Sequence, residues 1–200
     1  MIQKKMVQES KERVMPGNPG EQYQKALIAL QQQRHSEALE LLNGCLEEQR
    51  HNPAALYARA VTGISMGSYR KAACDLMKTI ALDRTFLEAY KQLGFVQFML
   101  GKEEAALKTL AKGLEIDPDY TELYCVQGDI YIDLGEFDRA KDAFEKALEL
   151  EPEKPEPHSK MAMYYLARGD MKALQREYEL LKTLDPSLAE QIGTLYFETP

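Results

Sequence analysis

Small and apolar residues recur along this chain in paired helical stripes separated by short turns. Between positions 121 and 154, Tyr124, Gln127, Gly128 and Tyr131 are spaced three, one and three, which is one face of a helix. Gly135 stops that helix, because glycine readily takes the left-handed conformation at a helix end. Asp138 follows, and Ala140, Phe144, Ala147 and Leu148 then mark the face of a second helix, which ends at Pro152. The stretch predicts two helices folded back on each other. The pattern then returns at a fixed distance: Gly67, Gly101, Gly135 and Gly169 lie 34 residues apart. Pro118, Pro152 and Pro186 share this period, as do Gly94 and Gly128.

Cutting at this period gives five units, 19–52, 53–86, 87–120, 121–154 and 155–188. The eighth position of a unit is Ala26, Ala60, Gly94, Gly128 or Ala162, small every time. A small residue there lets the first helix approach the second closely. Neither helix can bury its stripe alone, so neighbouring hairpins must stack. Residues 1–18 are polar and read as an N-terminal extension. Leu188, Ile192, Leu195 and Tyr196, spaced four, three and one, predict a further helix. With its tail it occupies 189–200 and caps the apolar face of the fifth hairpin.

The unit resembles the tetratricopeptide repeat, whose pattern is W-x2-L-G-x2-Y, then A-x3-F, then P. The fourth unit reads Tyr124-x2-Gln127-Gly128-x2-Tyr131, then Ala140-x3-Phe144, then Pro152. The third reads Tyr90-x2-Leu93-Gly94-x2-Gln97, then Ala106-x3-Leu110, then Pro118. The first two depart further, with Lys25 and Arg59 at the usual leucine and Arg50 and Arg84 at the proline. The fifth has His158 at the aromatic position and Leu174 at the alanine. The implied fold is all-α, a right-handed α-solenoid of five such hairpins plus a C-terminal capping helix. The resemblance also implies that a second stripe on each first helix, at positions 2, 5 and 9, lines a concave groove. Solenoids of this kind bind on such extended surfaces.

That stripe gives the candidate partner-binding residues. The first two units contribute Tyr23, Leu27, Tyr57 and Val61, and the third Glu88, Lys91 and Phe95. The fourth contributes Glu122, Cys125 and Asp129, and the fifth Glu156 and Met163. The N-terminal half is apolar and aromatic, whereas the C-terminal half alternates acids with apolar residues. The fourth unit alone holds ten acids against four bases. Such a groove suits a protein or peptide with apolar anchors at one end and basic residues at the other. Aromatic anchors such as Tyr57 and Phe95 are the expected hot spots. Some members of the family clamp a chaperone's C-terminal carboxylate with Lys and Asn, then Asn, then Lys and Arg. Here those places hold Tyr23 and Leu27, then Ala58, then Glu88 and Gln92, and no shift of register rebuilds the clamp.

Charge and composition narrow the function further. Thirty-two acidic against 25 basic residues give a net charge of −7, which argues against nucleic acid as a partner. No stretch has the length and apolarity of a membrane span. Three cysteines at Cys45, Cys74 and Cys125 lack metal-knuckle spacing and read as reduced thiols. Cytoplasm is the expected setting unless a signal or anchor preceding Met1 has been removed. His35, His51 and His158 fall at unrelated positions of separate units, and no HExxH, GxSxG or GxxxxGK[ST] motif occurs. No catalytic residue, metal or cofactor is expected. The sequence thus predicts a non-enzymatic scaffold or adaptor. The alternatives are a self-assembling homo-oligomeric scaffold, paired through its first unit and terminal helix, and an export chaperone.

Overall fold

A computed structural model describes residues 18–196, with side chains through residue 194. The expectations for residues 1–17, for the side chains of Leu195 and Tyr196 and for the tail 197–200 lie outside that range. Among the described residues the chain forms helices and no strands. The helices pair as α1 (Pro19–Gln31) with α2 (His35–Glu48), and α3 (Pro53–Ser65) with α4 (Tyr69–Leu82). Next come α5 (Leu87–Met99) with α6 (Glu103–Ile116), and α7 (Thr121–Asp133) with α8 (Phe137–Leu150). The last pair is α9 (Pro155–Arg168) with α10 (Met171–Leu184), followed by α11 (Pro186–Tyr196). The architecture is an α-solenoid of helical hairpins.

Local chemistry sets the ends of these helices. Pro19, Pro53 and Pro155 stand in the first turns of α1, α3 and α9, where a missing N–H costs nothing. The side chains of Asn18 and Asn52 accept from the amides of Gly20 and Ala55 at 3.0 and 3.1 Å. Within each hairpin the turn needs one residue with positive φ. Gly67, Gly101, Gly135 and Gly169 supply it at 67–73°, and Gln33 takes the same conformation at 57°. At the close approach inside a hairpin, a Cβ on Gly94 would sit 2.5 Å from Leu110 Cδ2, and one on Gly128 would overlap the Phe144 ring.

Two compact units result, one ending at Leu82 and the other beginning at Asp83. In the first, α2 packs on α3, and the core holds Ala26, Leu42, Cys45, Leu46, Ala55 and Leu56. Arg59, at the repeat's usual leucine position, lies between hairpins and donates to both carboxylate oxygens of Asp75 at 2.8 and 2.9 Å. It also donates to Asn43 at 2.9 Å. Asp75 is buried, so this pair makes a charge tolerable where the repeat normally places a leucine.

In the second unit Phe144 is fully buried among Ala140, Met161 and Tyr164, with Tyr131 and Tyr165 packed against them. His158, at the aromatic position, is buried with Nδ1 2.8 Å from Glu177 and Nε2 2.8 Å from the Pro152 carbonyl oxygen. It therefore ties α9 to α10 and to the preceding turn. Helix α11 packs on α10 through Ala189 and Ile192 against Leu181, with Tyr178 alongside.

Candidate protein-interaction surface

The first helix of each hairpin buries one stripe against its partner and turns a second away from it, since residues step by about 100°. In the first unit this second stripe is apolar. Tyr23 and Leu27 on α1, and Tyr57 and Val61 on α3, are all half-buried. Tyr23 leans on the core around Cys45, and that burial pushes its phenol up from the ordinary value. Ile28 beside Leu27 is half exposed. The surface offers contact area with few fixed polar groups, which suits an apolar side chain.

The second unit presents a mixed stripe. Glu88 on α5 is exposed, while Lys91 and Phe95 are half-buried. On α7 and α9, Glu122, Asp129 and Glu156 are half-buried and Met163 is 41% exposed. Cys125 departs from the expectation of a surface position. It is completely buried, and burial, reinforced by Glu156, pushes its thiol up to about 12. A small sulfur side chain fills the space behind the acids and offers a partner no contact.

Lysines of the next hairpin already hold two of these acids. Lys154, just ahead of α9, donates to Glu122 and to Glu151, both at 2.8 Å. Lys160 on α9 donates to Asp129 at 2.6 Å. Sequence reasoning missed these rungs. Their signal was a basic residue 32 or 31 positions after an acid, close to one repeat length. Burial raises the Glu122 carboxyl, but the hydrogen bond from Lys154, with Lys154 and Lys91 as nearby cations, outweighs this and holds it below its ordinary value. Asp129 goes the other way. Burial raises it, Lys160 opposes, and Glu156 and Asp133 raise it further. Glu156 and Asp133 thus add negative charge beside the Asp129–Lys160 pair.

The twelve stripe residues thus divide by unit. Tyr23, Leu27, Tyr57 and Val61 stand on adjacent first helices of the first unit, and Glu88, Lys91, Phe95, Glu122, Cys125, Asp129, Glu156 and Met163 on those of the second. Among the described residues no helix is long and apolar enough to cross a membrane.

Helical hairpins recurring at a constant period define a repeat scaffold of the protein-interaction class. The chain belongs to the tetratricopeptide repeat family: models of that repeat match residues 23–85, 87–120 and 121–154, together more than half of its length. Among solved structures, a thermophilic tetratricopeptide repeat protein of Thermus thermophilus is similar at a TM-score of 0.79 and 25% identity. That match covers 88% of this chain and 98% of the other. MamA from Desulfovibrio magneticus RS-1, from residue 41 onward, gives 0.66 and 21% over 86% and 97% of the two chains. A tetratricopeptide repeat protein of Parabacteroides merdae gives 0.66 and 20% over 90% and 72%. The last two, at such identity, speak for the fold alone. Comparison with curated proteins gives no match.

Proposed function

We propose that the protein is a non-enzymatic adaptor whose first-helix stripe binds an extended or helical segment of a partner protein. The observation carrying this reading is the half-buried apolar set Tyr23, Leu27, Tyr57 and Val61 on two adjacent helices, which leaves apolar area in contact with water. The partner segment brings apolar anchors for that set. In the second unit, exposed Glu88 on α5 and Glu156 on α9 each suit a basic residue of a partner. Glu122 and Asp129 already hold lysines and contribute through the field they leave. Such charges steer encounter and orientation more than they add affinity. The free thiols of Cys45, Cys74 and Cys125 agree with a reducing cytoplasm as the setting.

Site-specific photocrosslinking tests the assignment. Benzoylphenylalanine in place of Leu27 or Met163 is expected to trap a partner covalently, and in place of Met171 or Leu180 on α10 to trap none. Adducts formed only from Met171 or Leu180 would contradict it.

A further inference from the structure

A second feature of the first unit lies away from the stripe. Helices α2, α3 and α4 surround an open pocket of about 500 Å³, and none of Tyr23, Leu27, Tyr57 or Val61 lines it. Its buried end is Gly63 and Ala72, Leu39 and Met66 add apolar walls, and the hydrogen-bonded Arg59, Asp75 and Asn43 form a polar side. Arg70 and Lys71 stand exposed at its rim. The size is that of a small-ligand or side-chain site.

The repeat itself explains the space. Gly63 is the eleventh residue of its repeat, and the eleventh residues of the fourth and fifth repeats are Tyr131 and Tyr165. In the fourth hairpin the Tyr131 ring packs beside Ala140. The Arg139 guanidinium lies 4.2 Å from the ring centroid and donates to the phenol oxygen at 2.7 Å. In register, Ala72 corresponds to Ala140 and Lys71 to Arg139. The cavity beside Tyr131 is about 270 Å³, much smaller than the one beside Gly63. The first and third repeats fill or close the same place: Ala29 is fully buried, and Gln97 reaches across to accept from the Thr109 hydroxyl at 2.6 Å. The second repeat leaves the larger space, with Arg70 and Lys71 at its rim.

Nothing in the backbone or the packing demands glycine at position 63. A Cβ there would lie 3.7 Å from Ala72 Cβ and 3.8 Å from Ser68 Cβ, ordinary contact distances, and its φ is not positive. At Gly63, Lys71 and Ala72 the pocket matches the surroundings of the Tyr131 ring without the ring, whereas Arg59 and Asp75 stand where the fourth hairpin has Gln127 and Ala143. We propose that it receives a tyrosine or phenylalanine side chain from a partner protein, flanked by acidic residues that face Arg70 and Lys71. The aromatic ring takes the place that Tyr131 occupies in the fourth hairpin, beneath the Lys71 ammonium as Tyr131 lies beneath Arg139. The acids follow from charge complementarity, since residues 53–86 carry a net +3. This site is independent of the stripe and calls for the opposite flanking charge.

The test uses the whole isotope-labelled chain and the peptide acetyl-Asp-Tyr-Glu-amide, followed by amide chemical shifts. Saturable shifts centred on Gly63, Met66 and Ala72 are expected. The peptide with alanine in place of tyrosine, and the Gly63→Tyr chain, should each bind at least about tenfold more weakly. Tyr57→Ala should leave the affinity unchanged, which separates this site from the stripe. Absence of shifts at about 5 mM peptide, or equal binding by Gly63→Tyr, would overturn the proposal. So would a concentration-dependent dimer that Gly63→Tyr dissolves, because a second copy would then be the occupant. Should Gly63→Tyr not fold, the unaltered chain still decides. Cys74 lines the pocket and is exposed, while Cys45 and Cys125 are buried. The peptide should slow alkylation of Cys74, and an unchanged rate would refute the site.

Discussion

Single residues in this molecule answer to backbone sterics before anything else. Gln33 carries a left-handed backbone where the other four hairpins use glycine. A side chain in that region costs about 1–2 kcal/mol, and the flexibility of an unfolded glycine offsets part of the relief. Gln33→Gly is therefore expected to stabilise the chain by up to about 1 kcal/mol, read as a rise in thermal midpoint. Gly128 is the reverse case, because any Cβ there overlaps Phe144. Gly128→Ala is expected to destabilise by about 1–3 kcal/mol in a denaturant titration, as overpacked cores do. Both sites were legible from the 34-residue ladder alone, since glycine recurs where φ is positive and small residues recur where helices touch. Cys125 was not legible in the same way. Helical phase placed it on the stripe, but the helices and acids around it cover it completely, and phase carries no information about neighbours.

Individual helices were set by caps and turns written in the sequence, so their number and order could be read before their contacts. What could not be read was the traffic between successive first helices. The Glu122–Lys154–Glu151 clasp and the Asp129–Lys160 rung depend on which side chains meet across hairpins. The hydrogen bond from Lys154 foremost holds the Glu151 carboxyl below its ordinary value of 4.5. Glu122 is lowered too, against its own burial. For a lowered carboxylate, the stabilising contribution is present above the unfolded value and is lost as pH falls through the folded one. Stability is thus expected to decline as pH drops from about 5 towards 3. Lys154→Met should cost about 1 kcal/mol at pH 7, because the clasp is partly solvent-screened, and its difference from the unaltered chain should shrink below the carboxylate range. A mutant difference that stays constant from pH 7 to pH 3, in parallel denaturation curves, would remove the clasp from the account.

At the scale of the molecule, one supersecondary unit is repeated along the chain. The period identified the fold because each unit's apolar stripes can be buried only by its neighbours. Function was legible only as a class. A repeat fold hosts many partners, and the fold alone does not choose among them. The second hairpin illustrates the limit: Arg59 looked like a departure from the repeat, and its pairing with Asp75 and Asn43 became apparent only with the helices in place. The reading as an adaptor rests on the stripe, so the most direct measurement is comparative capture from native lysate with mass spectrometry. The unaltered chain would be run beside folded Tyr57→Ala, Phe95→Asp and, as a control on the exposed side of α6, Lys112→Ala. Partners held by the unaltered and Lys112→Ala chains and lost from the stripe variants are the expected result. The same partners held equally by all four chains would contradict the stripe as the binding surface.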